Sequence, residues 1–217
     1  MTQPIHYNDL YKTFNESLIS VYGIDWYEVY DRYLSMGNYA GIYPDSSLLL
    51  MMLTDMLPVN NVMEIGSGAS TLFLKKACDR CEINFTSYEE QDKYLKITRE
   101  LIKLYDIDDS FLRICPEKVD FSGVDMLFID GIEVNRVKLL DSDELIDIPV
   151  IILDDFGSIN LSKAYSRFTK RCRGDRPCYV YNGVGRQDRH QLISWDPEKI
   201  SPVGEIIGQY MPRIGVS

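Results

Sequence analysis

Short apolar runs recur along the chain, separated by stretches with helical spacing. Residues 61–65, 83–88, 111–115, 124–129 and 149–153 are nearly continuous apolar runs, too short for core helices, and predict five strands. Residues 70–77, 92–104 and 161–172 place apolar side chains at helical intervals, and the stretch after Gly131 predicts helix or loop as far as Leu145. Ahead of the first strand, 8–23 and 25–37 predict two amphipathic helices ending near glycines, the second with Asp25 as its N-cap. A third helix, 46–57, opens at Pro44-Asp45-Ser46-Ser47 and stops before Pro58. Near the end, 178–181 and 191–195 alternate as strands around the turn-rich Asn182-Gly183-Val184-Gly185.

Continuous apolar strands predict a sheet covered on both faces, hence a parallel α/β fold. The last two strands have no helix between them and predict an antiparallel edge hairpin. With 217 residues, 45% of them hydrophobic, the chain is expected to be one domain over 1–217, with 1–40 as a helical extension.

Charge narrows the partners. Thirty-three acidic residues against 23 basic ones give a net charge of −10, which repels phosphate backbones, so no nucleic acid is expected. The charge is uneven: residues 157–190 hold eight basic and two acidic residues, whereas the first 156 hold 13 and 28. The start has no basic, then apolar, leader pattern, and the longest apolar stretch, 48–53, is far too short to span a bilayer. No membrane partner is expected, and five cysteines without framework spacing favour a reduced, cytoplasmic chain.

In parallel α/β sheets, ligands bind beyond the carboxyl ends of the strands. Those ends read Glu64-Ile65-Gly66-Ser67-Gly68, Glu89-Glu90, Cys115-Pro116-Glu117, Asp130-Gly131 and Asp154-Asp155. Strands that finish repeatedly in acids describe a polar cleft. The Gly66-Ser67-Gly68 turn lets a ligand approach the backbone, and the helix behind it offers free N–H groups to an anion. Glu89 and Glu90 lie 21 and 22 residues after Gly68, the spacing at which a carboxylate grips ribose hydroxyls. Strand register leaves open which of the two faces the ligand.

The stretch Val62-Met63-Glu64-Ile65-Gly66-Ser67-Gly68-Ala69-Ser70-Thr71 resembles the first motif of class I S-adenosylmethionine-dependent methyltransferases. Ser87-Tyr88-Glu89-Glu90-Gln91-Asp92 looks like their ribose motif, and 124–131 looks like their fourth-strand motif. Ile151-Ile152-Leu153-Asp154-Asp155 sits where their fifth strand ends, and the cadence with Arg136 is similar to the small-molecule O-methyltransferase branch. The resemblance covers roughly residues 40–195. It implies a Rossmann-like three-layer sandwich with a seven-stranded, mostly parallel sheet, and a transfer of methyl from S-adenosylmethionine to a small acceptor, through oxygen. Glu64 would neighbour the methionine part of the cofactor, Gly66, Ser67 and Gly68 would let it lie on the turn, and Ser70 would hydrogen-bond its carboxylate. Glu89 or Glu90 would hold the ribose, Cys115-Pro116-Glu117 would flank the adenine, and Asp130 would face the amino group or the reacting centre.

Two departures stand out against the metal-dependent catechol-type enzymes. The glycine loop is shorter, and Glu133 stands where they carry lysine. Their metal ligands correspond to Asp130, Asp154 and Asp155, three hard oxygen donors suited to Mg²⁺ or Ca²⁺. The other reading has Asp154 and Asp155 cap the next helix or pair with Arg136. A hydroxyl acceptor needs a base, and Asp130, Glu133, Asp154 and Asp155 are the candidates. His190 is as well explained by a surface role, and the Cys78-x-x-Cys81 pair, ending a helix without a zinc-type partner, is incidental.

The basic island Lys163, Arg167, Lys170, Arg171, Arg173, Arg176, Arg186 and Arg189 is either a solvated face balancing acidic neighbours or a holder for a phosphate- or sugar-containing acceptor. Tyr7, Tyr11, Tyr22, Tyr27, Tyr30, Tyr33, Tyr39 and Tyr43 crowd the start of the chain. Core packing explains them simply; the resemblance adds a cover over the acceptor or a homodimer contact. An NAD-type oxidoreductase would use the same turn and acid, and a non-catalytic cofactor-binding protein would keep the fold without a base.

Overall fold

The computed structural model describes residues 7–37, 42–172, 176–182 and 190–200. Its strands are β1 (Asn61–Ile65), β2 (Asn84–Glu89), β3 (Leu112–Ile114), β4 (Met126–Ile129), β5 (Val150–Leu153), β6 (Cys178–Asn182) and β7 (His190–Trp195). They form one seven-stranded sheet in the order β3-β2-β1-β4-β5-β7-β6. Every pairing is parallel as far as β5, and β7 and β6 complete the sheet antiparallel, as the pattern of the chain predicts.

The helices are α1 (Tyr7–Tyr22), α2 (Trp26–Ser35), α3 (Pro44–Met56), α4 (Ala69–Arg80), α5 (Asp92–Lys103), α6 (Glu133–Asp141) and α7 (Ile159–Arg171). Alternation along the strands divides the core into two layers. Val62, Phe85, Met126, Phe128, Val150, Ile152 and Ile193 face the layer built with α1 to α5. Met63, Ile65, Leu127, Ile129, Ile151, Leu153 and Leu192 face the layer under α6 and α7. Both faces of β4 and β5 are buried, which is why these strands are apolar throughout.

Local chemistry explains the element ends. Asp25 caps α2, accepting from the Tyr27 and Glu28 amides. Proline at the first position lets α3 begin at Pro44, ahead of the predicted 46. Helix α4 runs past the predicted 77 to Arg80, because Ala77 and Cys78 are both fully buried against the core. The undecided stretch after Gly131 resolves into α6 and a 3₁₀ turn over Asp143–Leu145. β4 starts later than predicted because Asp125 turns its carboxylate back to the Asn60 and Asn61 amides.

Candidate functional site

The strand order reverses between β1 and β4, and in open α/β sheets this switch point is where ligands bind. A cavity of about 290 Å³ opens there, walled by the glycine turn, Glu89, Glu90, Asp130 and Asp155. A second of about 890 Å³ adjoins it, lined by Cys115, Pro116 and Glu117. Glu90 lines both, so the two meet at its side chain.

The β1–β2 wall is a closed hydrogen-bond network. Glu64 is fully buried on the Val62 face of β1, beneath α4. Its carboxylate accepts from the hydroxyls of Ser70, Thr71 and Ser87, all at 2.6 Å. Burial pushes its pKa up to about 7, against those three bonds, which lower it. Glu64 is therefore the foundation of the turn, not part of the cleft surface. Ser70 lines the cavity, but its proton is directed at Glu64, so it has no donor left for a ligand carboxylate.

Glu89, 5% exposed, reaches back to the turn. Its Oε2 accepts from the Ser67 amide at 2.8 Å and the Ser67 hydroxyl at 3.2 Å, while Oε1 accepts from the Gln91 amide at 2.9 Å. Burial raises its pKa, with those bonds opposing. The Gly68 amide donates to Thr71 Oγ1 at 2.9 Å and the Gly66 amide to the Tyr88 carbonyl at 2.8 Å. Glu90 is half-exposed on the cleft.

The glycines have reasons that differ from ligand approach alone. Gly66 has φ +94°, and a Cβ there would lie 2.4 Å from the Asp130 carbonyl oxygen. Only glycine lets the ends of β1 and β4 come this close. A Cβ at Gly68 would instead meet the Tyr33 hydroxyl at 3.0 Å.

The β4–β5 wall is a crowd of like charges. Asp130, Asp154 and Asp155 each bring a carboxylate oxygen to within 4.8 Å of the others. Asp130 Oδ1 accepts from the Gly131 amide at 2.6 Å. Asp155 has a left-handed backbone, φ +50°, an uncommon conformation for a non-glycine residue. Asp154 is buried, and its Oδ1 accepts from Gln191 Nε2 at 2.9 Å. Arg136, 7% exposed, donates from Nη1 to the carbonyl of Asp154. The helix after these acids is capped by Ser158 and not by Asp154 or Asp155, and Arg136 donates to the Asp154 backbone carbonyl.

The remaining candidates lie apart. Glu133 accepts from Asn160 Nδ2, and this bond and one with Ser158 lower its pKa, which suits tying α6 to α7 better than taking a proton. Arg167 pairs with Asp141, Arg171 with Asp143, and Arg176 donates to the Ile148 carbonyl, so these three members of the basic island brace their own layer. Lys163 and Lys170 are exposed on α7, while Arg173, Arg186 and Arg189 lie outside the described residues, as do Tyr39 and the turn after Asn182. His190 opens β7, its carbonyl accepting from the Phe156 amide. Cys78 is buried and Cys81 exposed, both as free thiols. No helix among the described residues is long and apolar enough to cross a membrane.

Two residues escaped the sequence reading. Gln191 was visible as a polar residue at an inward strand position, in phase with Ile193. Tyr33, 2% exposed, lines the cavity from α2 and was one tyrosine among many. Burial raises its pKa, with Asp130, Glu89 and Glu64 adding to the shift.

No protein-family model matches the chain, and no curated protein matches it by sequence. Solved structures do match. A cofactor-bound protein from MTB, Rv0187, superposes with a TM-score of 0.66 at 17% identity, over 89% of this chain and 98% of that one. A putative O-methyltransferase from Klebsiella pneumoniae gives 0.66 at 17% identity, over 88% and 99%. An O-methyltransferase from Bacillus cereus in complex with SAH gives 0.61 at 17% identity, over 86% and 100%. With its sheet order, edge hairpin and switch-point cleft, the chain has the fold of the class I, Rossmann-like methyltransferases.

Proposed function

We propose that the protein transfers a methyl group from S-adenosylmethionine to an oxygen of a small acceptor. The charge of the cleft carries this reading. The glycine-turn cavity is lined by Glu89, Glu90, Asp130 and Asp155, with no lysine or arginine among its described lining residues. A dinucleotide would bring a pyrophosphate to this turn and would need its amides. Those of Ser67 and Gly68 are already engaged by Glu89 and Thr71. A sulfonium and an ammonium are cations, and this wall attracts them. The O-methyltransferases of the same fold from Klebsiella pneumoniae and Bacillus cereus support the choice of oxygen.

In this reading the adenine lies toward Cys115, Pro116 and Glu117, the ribose at Glu89 or Glu90, and the methionine end on the glycine turn. Methyl transfer needs alignment and removal of the acceptor proton, because the sulfonium is already activated. Asp130 and Asp155 face the cleft and would take that proton, with Asp154 behind them. The acceptor is small, and engagement of Arg167, Arg171 and Arg176 elsewhere weakens the case for a phosphate-bearing one.

One observation favours a metal-assisted version. Carboxylate oxygens of Asp130, Asp154 and Asp155 within 4.8 Å of one another are a hard donor set that fits Mg²⁺ or Ca²⁺. Such an ion would polarise the acceptor oxygen and make it easier to deprotonate. Calorimetry of the full chain with S-adenosylmethionine, S-adenosylhomocysteine and NAD tests the main reading. Micromolar binding of the first two and none of NAD is expected; binding of NAD alone would overturn it.

A further inference from the structure

Three hydroxyls donate to Glu64, and they are not equivalent. Ser87 from β2 and Thr71 from α4 both donate to Oε2. Thr71 Oγ1 is also fixed from its other side, since it accepts from the Gly68 amide. Ser70 donates to Oε1, and of the three it is the one that lines the glycine-turn cavity. A ligand in the cavity therefore meets an oxygen whose proton points away from it, into the protein. The proposed cofactor brings an amino-acid carboxylate to this turn, and a carboxylate needs donors. While Glu64 is charged, Ser70 has only lone pairs to offer it.

The acid beneath can change that. Oε1 accepts one of the three bonds and Oε2 accepts two, so an added proton belongs on Oε1. A neutral Glu64 donates to Ser70 Oγ across the same 2.6 Å, and the Ser70 proton is then free to turn to the cavity. We propose that Glu64 is a proton switch for the amino-acid end of the cofactor: binding of that carboxylate draws a proton from solvent onto Oε1, reverses the Glu64–Ser70 hydrogen bond and makes Ser70 the donor that holds the ligand. The O–H bonds balance. Ser70 Oγ takes the incoming proton from the cavity side and passes its own to Oε1, a path suited to an acid that is itself fully buried. The negative charge that arrives at the turn replaces the one lost below it. The surroundings favour the exchange. Burial, with Asp130 on β4 adding to it, lifts the pKa of Glu64 to about 7 against the bonds from Ser70, Thr71 and Ser87. Glu64 in turn helps to raise the pKa of two further groups close to it, the Tyr33 phenol on α2 and the Cys78 thiol on α4. A ligand carboxylate adds to the effect of Asp130 and pulls the proton in.

This inference rests on the S-adenosylmethionine reading, and the test separates the two. The probes are S-adenosylhomocysteine and 5′-methylthioadenosine, which keeps the nucleoside and thioether but lacks the amino-acid end. Calorimetry of the full chain is run at pH 6 and pH 8.5, and at pH 7.5 in two buffers of different ionisation enthalpy. Wild-type affinity for S-adenosylhomocysteine should fall about tenfold from pH 6 to pH 8.5, as Glu64 passes from mostly protonated to mostly charged. Methylthioadenosine should stay within about twofold. At pH 7.5, S-adenosylhomocysteine should bind with uptake of about one proton and methylthioadenosine with none. Glu64→Gln, whose amide donates to Ser70 as the neutral acid does, should bind S-adenosylhomocysteine equally at both pH values and take up no proton. Ser70→Ala keeps the acid and removes the donor. It should bind S-adenosylhomocysteine about tenfold more weakly at pH 6, also without proton uptake, and it tests the switch even if Glu64→Gln does not fold. Wild-type affinity for S-adenosylhomocysteine that does not change with pH, equal proton uptake with both ligands, or uptake retained in either variant would overturn the switch while leaving the cofactor reading intact. Wild-type protein that binds neither ligand would overturn both.

Discussion

The two walls of the cleft are built from the same residue type and are in opposite states. On the β1–β2 side, Glu64 and Glu89 are surrounded by neutral donors: three hydroxyls on one, two amides and a hydroxyl on the other. On the β4–β5 side, Asp130, Asp154 and Asp155 crowd one another within 4.8 Å, steadied by the Gln191 side chain and by Arg136 on the backbone. A buried carboxylate whose oxygens are met by fixed donors is a structural element. Carboxylates pressed together beside a cavity attract a cation or a proton, and that is the condition for chemistry. One wall shapes the cleft, and in the proposed function the other faces the reaction.

The largest effect should come from breaking the shaping wall at its tightest point. Gly66→Ala must adopt a left-handed backbone and put a methyl 2.4 Å from the Asp130 carbonyl oxygen. Strain and overpacking together should cost about 3 kcal/mol or more. At about 2–4 °C per kcal/mol for a chain of this size, the melting temperature should drop by about 10 °C. Gly68→Ala meets only the end of a side chain and should melt within about 3 °C of wild type. Equal melting of the two variants would show that the glycines answer to a ligand and not to the meeting of β1 and β4.

The charge on Glu64 gives a smaller, pH-dependent effect. Its pKa is raised from 4.5 to about 7, so the folded state holds this proton more tightly than the unfolded chain. Stability from this group is therefore greatest at low pH, falls as pH rises from about 4.5 to 7, and levels off above that. At 1.36 kcal/mol per pKa unit, the full fall is on the order of 3 kcal/mol. Glu64→Gln cannot ionise and should lack that fall. Urea unfolding at pH 5 and pH 8 measures it: the wild type should lose stability relative to the variant between the two. Parallel pH profiles would mean that the three hydroxyls hold Glu64 charged throughout.

The contrast between the walls was only half legible in the sequence. Apolar runs ending in acids located both, since a strand that must be buried on two faces declares itself and its last residue lies at the cleft. The parallel sheet and the edge hairpin were readable for the same reason, whereas the strand order and the switch point were not. Donor partners were not. Ser87 meets Glu64 because β1 and β2 pair in the register Glu64↔Ser87, 23 residues apart. Gln191 meets Asp154 across 37 residues and an antiparallel strand. Which acids are fully hydrogen-bonded depends on such long-range contacts, and local spacing does not carry them. Tyr33 was hidden differently, as one of eight tyrosines near the start of the chain, with helical packing a sufficient reason for each.

The finest probe of the β4–β5 wall is Gln191. Its Nε2 holds Oδ1 of Asp154, while its own Oε1 is buried with no hydrogen-bond partner among the described residues. Gln191→Leu removes the donor that aims Asp154 and also removes the unpartnered carbonyl. The two changes oppose each other in stability, so folding should shift by about 1 kcal/mol or less. Function has no such compensation. Once Asp154 is released, the three carboxylates no longer hold one arrangement, and misplacement on the scale of an ångström is enough to slow an aligned reaction about tenfold to a hundredfold. Turnover should fall by at least tenfold, with S-adenosylhomocysteine affinity unchanged, because Gln191 does not line the glycine-turn cavity. Equal loss of turnover and cofactor affinity would show that the two walls act as one unit. Unchanged turnover would place Asp154 outside the chemistry and leave Asp130 and Asp155 to carry it alone.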